Sequence, residues 1–171
     1  TANLLRPLNL PTREELPDSL EIPVDNELQT AVPQLLLDIL SDYWSHRTDW
    51  FFGINMGIFH TTGVNPRVPL IPDGFLSLGV KHRPDLKGRP SYIVWEENNI
   101  VPKLVLECVS KTYGDEYDQK MKKYARLGVL YYVVYNPTYY KRHQRLPLEI
   151  YRLTGSSYRP CLGEPVWFPE L

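Results

Sequence analysis

The chain has 171 residues, with 19 Lys and Arg against 20 Asp and Glu, giving a formal net charge of −1. Hydrophobic residues make up 43% and charged residues 23%, which excludes a disordered tail, a collagen-like repeat and a simple coiled coil. The length predicts one domain able to bury roughly 70% of the surface its unfolded chain exposes.

Residues 1–24, with Pro7, Pro11, Pro17 and Pro23, read as an extended arm, because each proline removes a backbone donor and biases its predecessor away from helix. That leaves 25–171 as a single α/β domain. Asp25 is placed to cap a helix from about Asn26 to Ser45, in which Leu28, Val32, Leu35, Leu36, Ile39, Leu40 and Tyr43 form one apolar stripe. Pro33 predicts a kink or a later start. Trp50–Asn55 and Ile58–Thr62 are β-rich and joined through Met56-Gly57, the pattern of a hairpin.

Leu70–Val80 surrounds Pro72-Asp73-Gly74, and His82–Arg89, with Pro84 and Gly88, reads as a loop. Tyr92–Glu96 and Leu104–Val109 are the next strands, the latter a buried one near the sheet centre. Asp115–Leu127 follows as a helix with Met121, Tyr124 and Leu127 facing inward and Gly128 as its left-handed cap. Val129–Tyr135 is again a strand. Leu148–Leu153 and Tyr158–Leu162 make a final hairpin turning at Thr154-Gly155-Ser156. This order predicts a mixed sheet with a helix on each face.

No apolar run approaches the ~18–20 residues of a membrane-crossing helix, and the first residues are too rich in Pro and charge for a signal peptide. Cys108 and Cys161 lack the number for a disulfide framework and the spacing for a metal site, so a cytoplasmic protein is expected. The near-neutral total conceals a polar distribution. Residues 1–50 hold 3 basic and 9 acidic side chains, whereas residues 101–150 hold 9 basic and 5 acidic. The positive charge gathers in Lys120, Lys122, Lys123 and Arg126, then in Lys141, Arg142, His143 and Arg145. A solvated helix face and a charged loop explain such clusters, and so does a polyanionic partner.

Two carboxylates stand out. Asp73 is either a turn-former, since Pro-Asp-Gly is good turn chemistry, or a site residue. Glu107 lies inside LVLECV with no cation within two positions, and a buried carboxylate must shift its pKa or find a cation or metal. Glu116 and Lys120 are four apart on the expected helix, with Lys123 three beyond, so a lysine could reach the carboxylates. Two carboxylates and a lysine at a sheet edge suit metal-assisted phosphodiester hydrolysis, since carboxylates hold a hard Mg²⁺ that acidifies water and neutralises phosphoryl charge.

The strings IPDGFLSLGV (71–80), LVLECVSKTYGDEYDQKMKKYARLGVLYYVVYNP (104–137) and LEIYRL (148–153) resemble the Uma-two putative restriction endonucleases. This family, expanded in cyanobacteria, is placed in the PD-(D/E)XK nuclease superfamily. The similarity runs roughly over residues 25–162. The family ends one core strand with Pro-Asp and the next with Glu-x-x-Ser, and continues with Lys-x-x-x-Tyr-x-x-x-Gly-Val.

The resemblance implies a restriction-endonuclease-like core that cleaves DNA with Mg²⁺ or Mn²⁺. Asp73, Glu107 and the backbone carbonyl of Cys108 become metal ligands, and Lys120 the catalytic lysine. Val109 stands where the superfamily pattern Glu-x-Lys has its lysine, so the role passes to the helix, with Lys123 as the fallback. Glu27 is the candidate for an accessory acid from the first helix. Lys111, Lys122, Lys123, Arg126 and Arg142 are expected at phosphates, which positions DNA without reading its sequence.

Other residues have simpler readings. Cys108 points its side chain away from Glu107 by the period of two and is a small buried residue. His46, His60, His82 and His143 have no zinc spacing and read as surface or packing residues. Tyr131, Tyr132 and Tyr135 suit core or dimer packing, with base stacking as the other use. Two rivals stand beside the nuclease: a catalytically inactive nucleic-acid-binding module, and a homodimeric assembly module on the same fold whose Pro/Tyr-rich arm, residues 1–24, wraps a partner. A homodimer is expected in either case.

Overall fold

A computed structural model describes residues 10–12, 15–16, 27–82, 85–111 and 114–171. Most of the 1–24 arm, together with Asp25 and Asn26, lies outside these residues. Of the arm, Leu16 is buried in a small cluster with Phe59, Ile93 and Trp95.

Helix α1 spans Leu28–Tyr43 and runs through Pro33, which is its buried residue. The strands are β1 (Trp50–Ile54), β2 (Ile58–Phe59), β3 (Gly74–Leu78), β4 (Tyr92–Ile93), β5 (Leu104–Cys108), β6 (Tyr131–Tyr135), β7 (Leu148–Thr154) and β8 (Ser157–Pro160). Helix α2 (Gln119–Leu127) lies between β5 and β6, and a short 3-10 helix covers Tyr140–His143. Six strands form the main sheet in the order β1-β3-β5-β6-β7-β8, while β2 and β4 pair separately. Only β5 and β6 are parallel within the main sheet, joined through α2; its other neighbours are antiparallel. This is a mixed α/β architecture consistent with a restriction-endonuclease-like fold.

The period of two divides the core into two faces. Leu104, Leu106 and Cys108 join Trp50, Phe52, Leu76 and Val133 on one face, covered by Val32, Leu36 and Leu40 of α1. Val105 and Val109 join Phe75, Tyr132 and Val134 on the other, covered by Tyr124 and Leu127 of α2. Every residue of β5 is buried, as its unbroken apolar run predicts for a strand covered on both sides.

The hairpin expected around Met56-Gly57 is absent. β1 pairs with β3 in the register Trp50↔Leu78, and β2 turns away to pair parallel with β4. Asn55 takes a left-handed φ of 46° and gives its N–H to the Asp73 carbonyl at 3.1 Å, extending the β1–β3 ladder. Ile58 and Phe59 are both buried, so this short strand lacks the solvent face that a hairpin arm would show.

The second helix is also shorter than its periodicity suggests. Residues 115–118 form turns, Asp115 has a φ of 62°, and the α-helix begins at Gln119. Gly128 caps it at a φ of 93°, a conformation that glycine adopts without steric cost. The final hairpin forms as expected, turning through Gly155 and Ser156.

Candidate active site at the end of β5

Asp73 immediately precedes β3, and Glu107 is the penultimate residue of β5. The antiparallel register pairs Gly74 with Leu106, so one further step sets Asp73 opposite Glu107. Directly opposed residues share a face of the sheet, here the face that α2 covers. The Pro-Asp-Gly sequence therefore opens a strand rather than closing a turn. Asp73 Oδ2 accepts the backbone N–H of Cys108 at 2.6 Å, tying the carboxylate to the end of β5.

Glu107 is 1% exposed. Both of its oxygens are occupied from α2: Lys120 Nζ donates to Oε2 at 2.8 Å and Tyr124 Oη to Oε1 at 2.7 Å. Lys120 and Tyr124 are four residues apart, so one helical face supplies both donors. The ammonium that bonds Glu107 is that of Lys120; Lys123 lines a separate cleft with Arg126.

Burial pushes the Glu107 carboxyl up to about 7, with Asp73 adding to the rise and Lys120 opposing it. Burial pulls the Lys120 ammonium down, but Glu107, Glu116 and Asp73 together hold it above its ordinary value. Tyr124 is raised well above the usual phenol range by burial and then by Glu107. Burial, Asp73 and Glu107 also raise the Cys108 thiol, so this cysteine is no nucleophile. Its side chain lies on the α1 face, as the period of two predicts.

Glu116 is the site neighbour whose placement the sequence does not reveal. It is 4% exposed, in the turn before α2, with Oε1 at 4.0 Å from Lys120 Nζ and Oε2 accepting the Gly114 N–H at 3.0 Å. Its carbonyl accepts the Tyr132 hydroxyl at 2.6 Å, which fixes the turn to β6. A Cβ on Gly114 would fall 2.8 Å from Glu116 Oε1, so a side chain there would displace the Glu116 carboxylate. The four-residue spacing to Lys120 was the available signal, though it implied a helix that does not extend so far.

The other expected residues are spread around this centre. Ser110 is buried two residues after β5, and Lys111 is exposed beside it. Arg142 reaches back from the 3-10 helix to the Lys111 carbonyl at 2.9 Å, which brings the second basic cluster to the end of β5. Lys122, Lys123 and Arg126 are exposed along α2. Glu27 is exposed at the start of α1, the helix on the opposite face.

The sequence matches the family model for Uma2, putative restriction endonuclease, over residues 11–169. The chain belongs to this Uma2 family. No curated protein matches the chain. The match extends the expected 25–162 span in both directions and takes in Leu16. Uma2 membership supports a nuclease-like function and implies DNA as the substrate. No helix among the described residues is long and apolar enough to cross a membrane.

The donors gathered at the end of β5 are of the kind that the hard divalent cation implied by the resemblance would take. Asp73, Glu107 and the backbone at Cys108 offer oxygen atoms, and one ammonium stands among the carboxylates Glu107, Asp73 and Glu116. No group of three or more His, Cys, Asp and Glu side chains gathers as a metal cage among the described residues.

Proposed function

We propose that this protein is a Mg²⁺- or Mn²⁺-dependent endodeoxyribonuclease of the PD-(D/E)XK type. The observation that carries the proposal is Glu107: fully buried, opposed to Asp73, with both oxygens held by Lys120 and Tyr124. Burying such a carboxylate costs stability, and perturbed buried carboxylates of this kind cluster at functional sites. Asp73, Glu107 and the Cys108 carbonyl are the proposed ligands. A bound divalent cation supplies positive charge to the phosphoryl oxygens and acidifies the attacking water.

The chain's own groups do the rest. Lys120 is held protonated, so it serves as a donor that orients water or stabilises phosphoryl charge, and not as a general base. Tyr124 keeps Glu107 aimed at Asp73. Lys111, Lys122, Arg126 and Arg142 contact backbone phosphates around the scissile bond. Glu27 remains a candidate only through an approach from the start of α1.

The inactive DNA-binding module predicts salt-sensitive binding without cleavage. The intact set of Asp73, Glu107, Lys120 and Tyr124 favours the active reading. The test is cleavage of single- and double-stranded DNA with Mg²⁺ or Mn²⁺ by wild type and Glu107→Ala. Metal-dependent cleavage lost in the variant supports the mechanism; cleavage that survives the substitution or needs no metal overturns it. We also propose a homodimer through α1, where Leu35, Ile39 and Tyr43 form an exposed apolar row at four-residue spacing. Sedimentation of Leu35→Glu as a monomer against a wild-type dimer would support that assembly.

A further inference from the structure

A cleft of about 260 Å³ lies between the segment 60–70 and α2. Its apolar walls include Val64, Val68, Pro69 and Leu70, and its cationic wall is Lys123 and Arg126. Val64 is wholly exposed and Val68 is 61% exposed, an unusual position for apolar side chains beside two cations. Both walls of the cleft lie close in sequence to residues of the proposed centre. Leu70 is three residues before Asp73, and Lys123 and Arg126 follow Lys120 at successive three-residue steps along α2. Each step advances about 4.5 Å along the helix axis.

The chemistry of the lining selects the occupant. No acidic side chain lines the cleft among the described residues, so its charge is complementary to an anion. An inorganic anion alone would leave the apolar wall in water. At the rear, His60 is 6% exposed and its Nδ1 contacts Thr62 Oγ1 at 2.8 Å, which fixes the ring. A planar group with apolar faces and polar edges, carried on an anionic chain, suits both walls.

We infer that this cleft seats one unstacked nucleobase of the substrate strand, with its flanking phosphates on Lys123 and Arg126. The inference rests on the nuclease reading for its substrate and adds strand preference to it. A base inside a continuous duplex must first leave the stack, at a cost that an unpaired base avoids, so DNA with an unpaired nucleotide beside the cleaved bond is the favoured substrate. Lys123, which does not serve Glu107, thereby acquires a role.

The test compares two duplexes, each with a one-nucleotide bulge that carries thymine in one and an abasic residue in the other. Binding is followed by fluorescence anisotropy in EDTA, where metal-dependent cleavage cannot occur. Wild type is expected to bind the thymine bulge about tenfold more tightly. Val68→Trp, which fills the cleft from an exposed position, is expected to erase that difference; Val64→Trp serves if the first variant fails to fold. Lys123→Ala with Arg126→Ala is expected to weaken both duplexes and flatten the logarithmic salt slope by roughly 0.7–0.9 per lost contact. Equal affinity of wild type for the two bulges overturns the inference, as does a base preference that survives both cleft-filling variants. Base-dependent binding without Mg²⁺-dependent cleavage would uphold the cleft and overturn the nuclease; cleavage without base dependence would do the reverse.

Discussion

The two faces of the central sheet are built on the same strands yet carry opposite chemistry. On the α1 face, β5 contributes Leu104, Leu106 and Cys108 to an apolar cluster. On the α2 face, the same strand alternates Val105 with Glu107, and a carboxylate, an ammonium and a phenol meet in the interior. One face can be explained by burial alone. The other contains charge that burial penalises, and stability gives no reason for it. Substitutions one residue apart should therefore part company. Glu107→Ala is expected to reduce cleavage on the order of 10³-fold, by loss of a metal ligand. Leu106→Ala is expected to cost roughly 2–5 kcal/mol in chemical denaturation and to cleave normally where it remains folded. Equal losses of activity in the two folded variants would dissolve the distinction between the faces.

Within the α2 face, the two donors to Glu107 should separate next. Lys120→Ala removes the charge and is expected to lower kcat on the order of 10²-fold, by analogy with loss of one transition-state donor. Tyr124→Phe removes one neutral hydroxyl and is expected to lower it about tenfold or less. Single-turnover cleavage at saturating metal checks both. A larger effect from the phenol than from the ammonium would mean that Tyr124, not Lys120, carries the reaction.

Much of this division was legible in the sequence. Leu104-Val105-Leu106 reads as a buried strand near the sheet centre, and Glu107 directly after it was the residue most in need of a partner. Gly128 ended α2 because its position asked for a left-handed residue, which glycine supplies. The lysine and tyrosine spacing placed both on one helical face. What remained hidden was non-local. Nothing in residues 50–62 shows that β1 will pair with β3 from residues 74–78 and release β2 to a different sheet. Glu116 looked helical because the i, i+4 spacing to Lys120 is helical, while the turn that buries it depends on Gly114 and on Tyr132 of β6. The cleft behind Lys123 arises from a segment 60–70 whose packing against α2 has no local pattern.

The smallest predicted effect concerns stability alone and addresses the comparison most directly. The Glu107 carboxyl lies at about 7 in the folded protein against an ordinary value near 4.5. Between those values the folded state holds a proton that the unfolded chain has released, so stability falls as pH rises through that window. The protonated group's contribution is complete below about 4.5 and lost above about 7. Glu107→Gln has no such titration. Without divalent cation, its stability relative to wild type is expected to rise by about 1–3 kcal/mol between pH ~5 and pH ~8. Lys120 remains charged throughout that range, so its loss of a charged partner shifts the variant by a constant and leaves the slope to Glu107. Mg²⁺ should reverse the trend in wild type, because a cation favours the ionised carboxylate, and should leave Glu107→Gln nearly unmoved. Denaturant melts across pH, with and without the cation, decide it. A flat difference would mean that Lys120 and Tyr124 already compensate the charge, and that the α2 face costs the fold no more than its apolar counterpart.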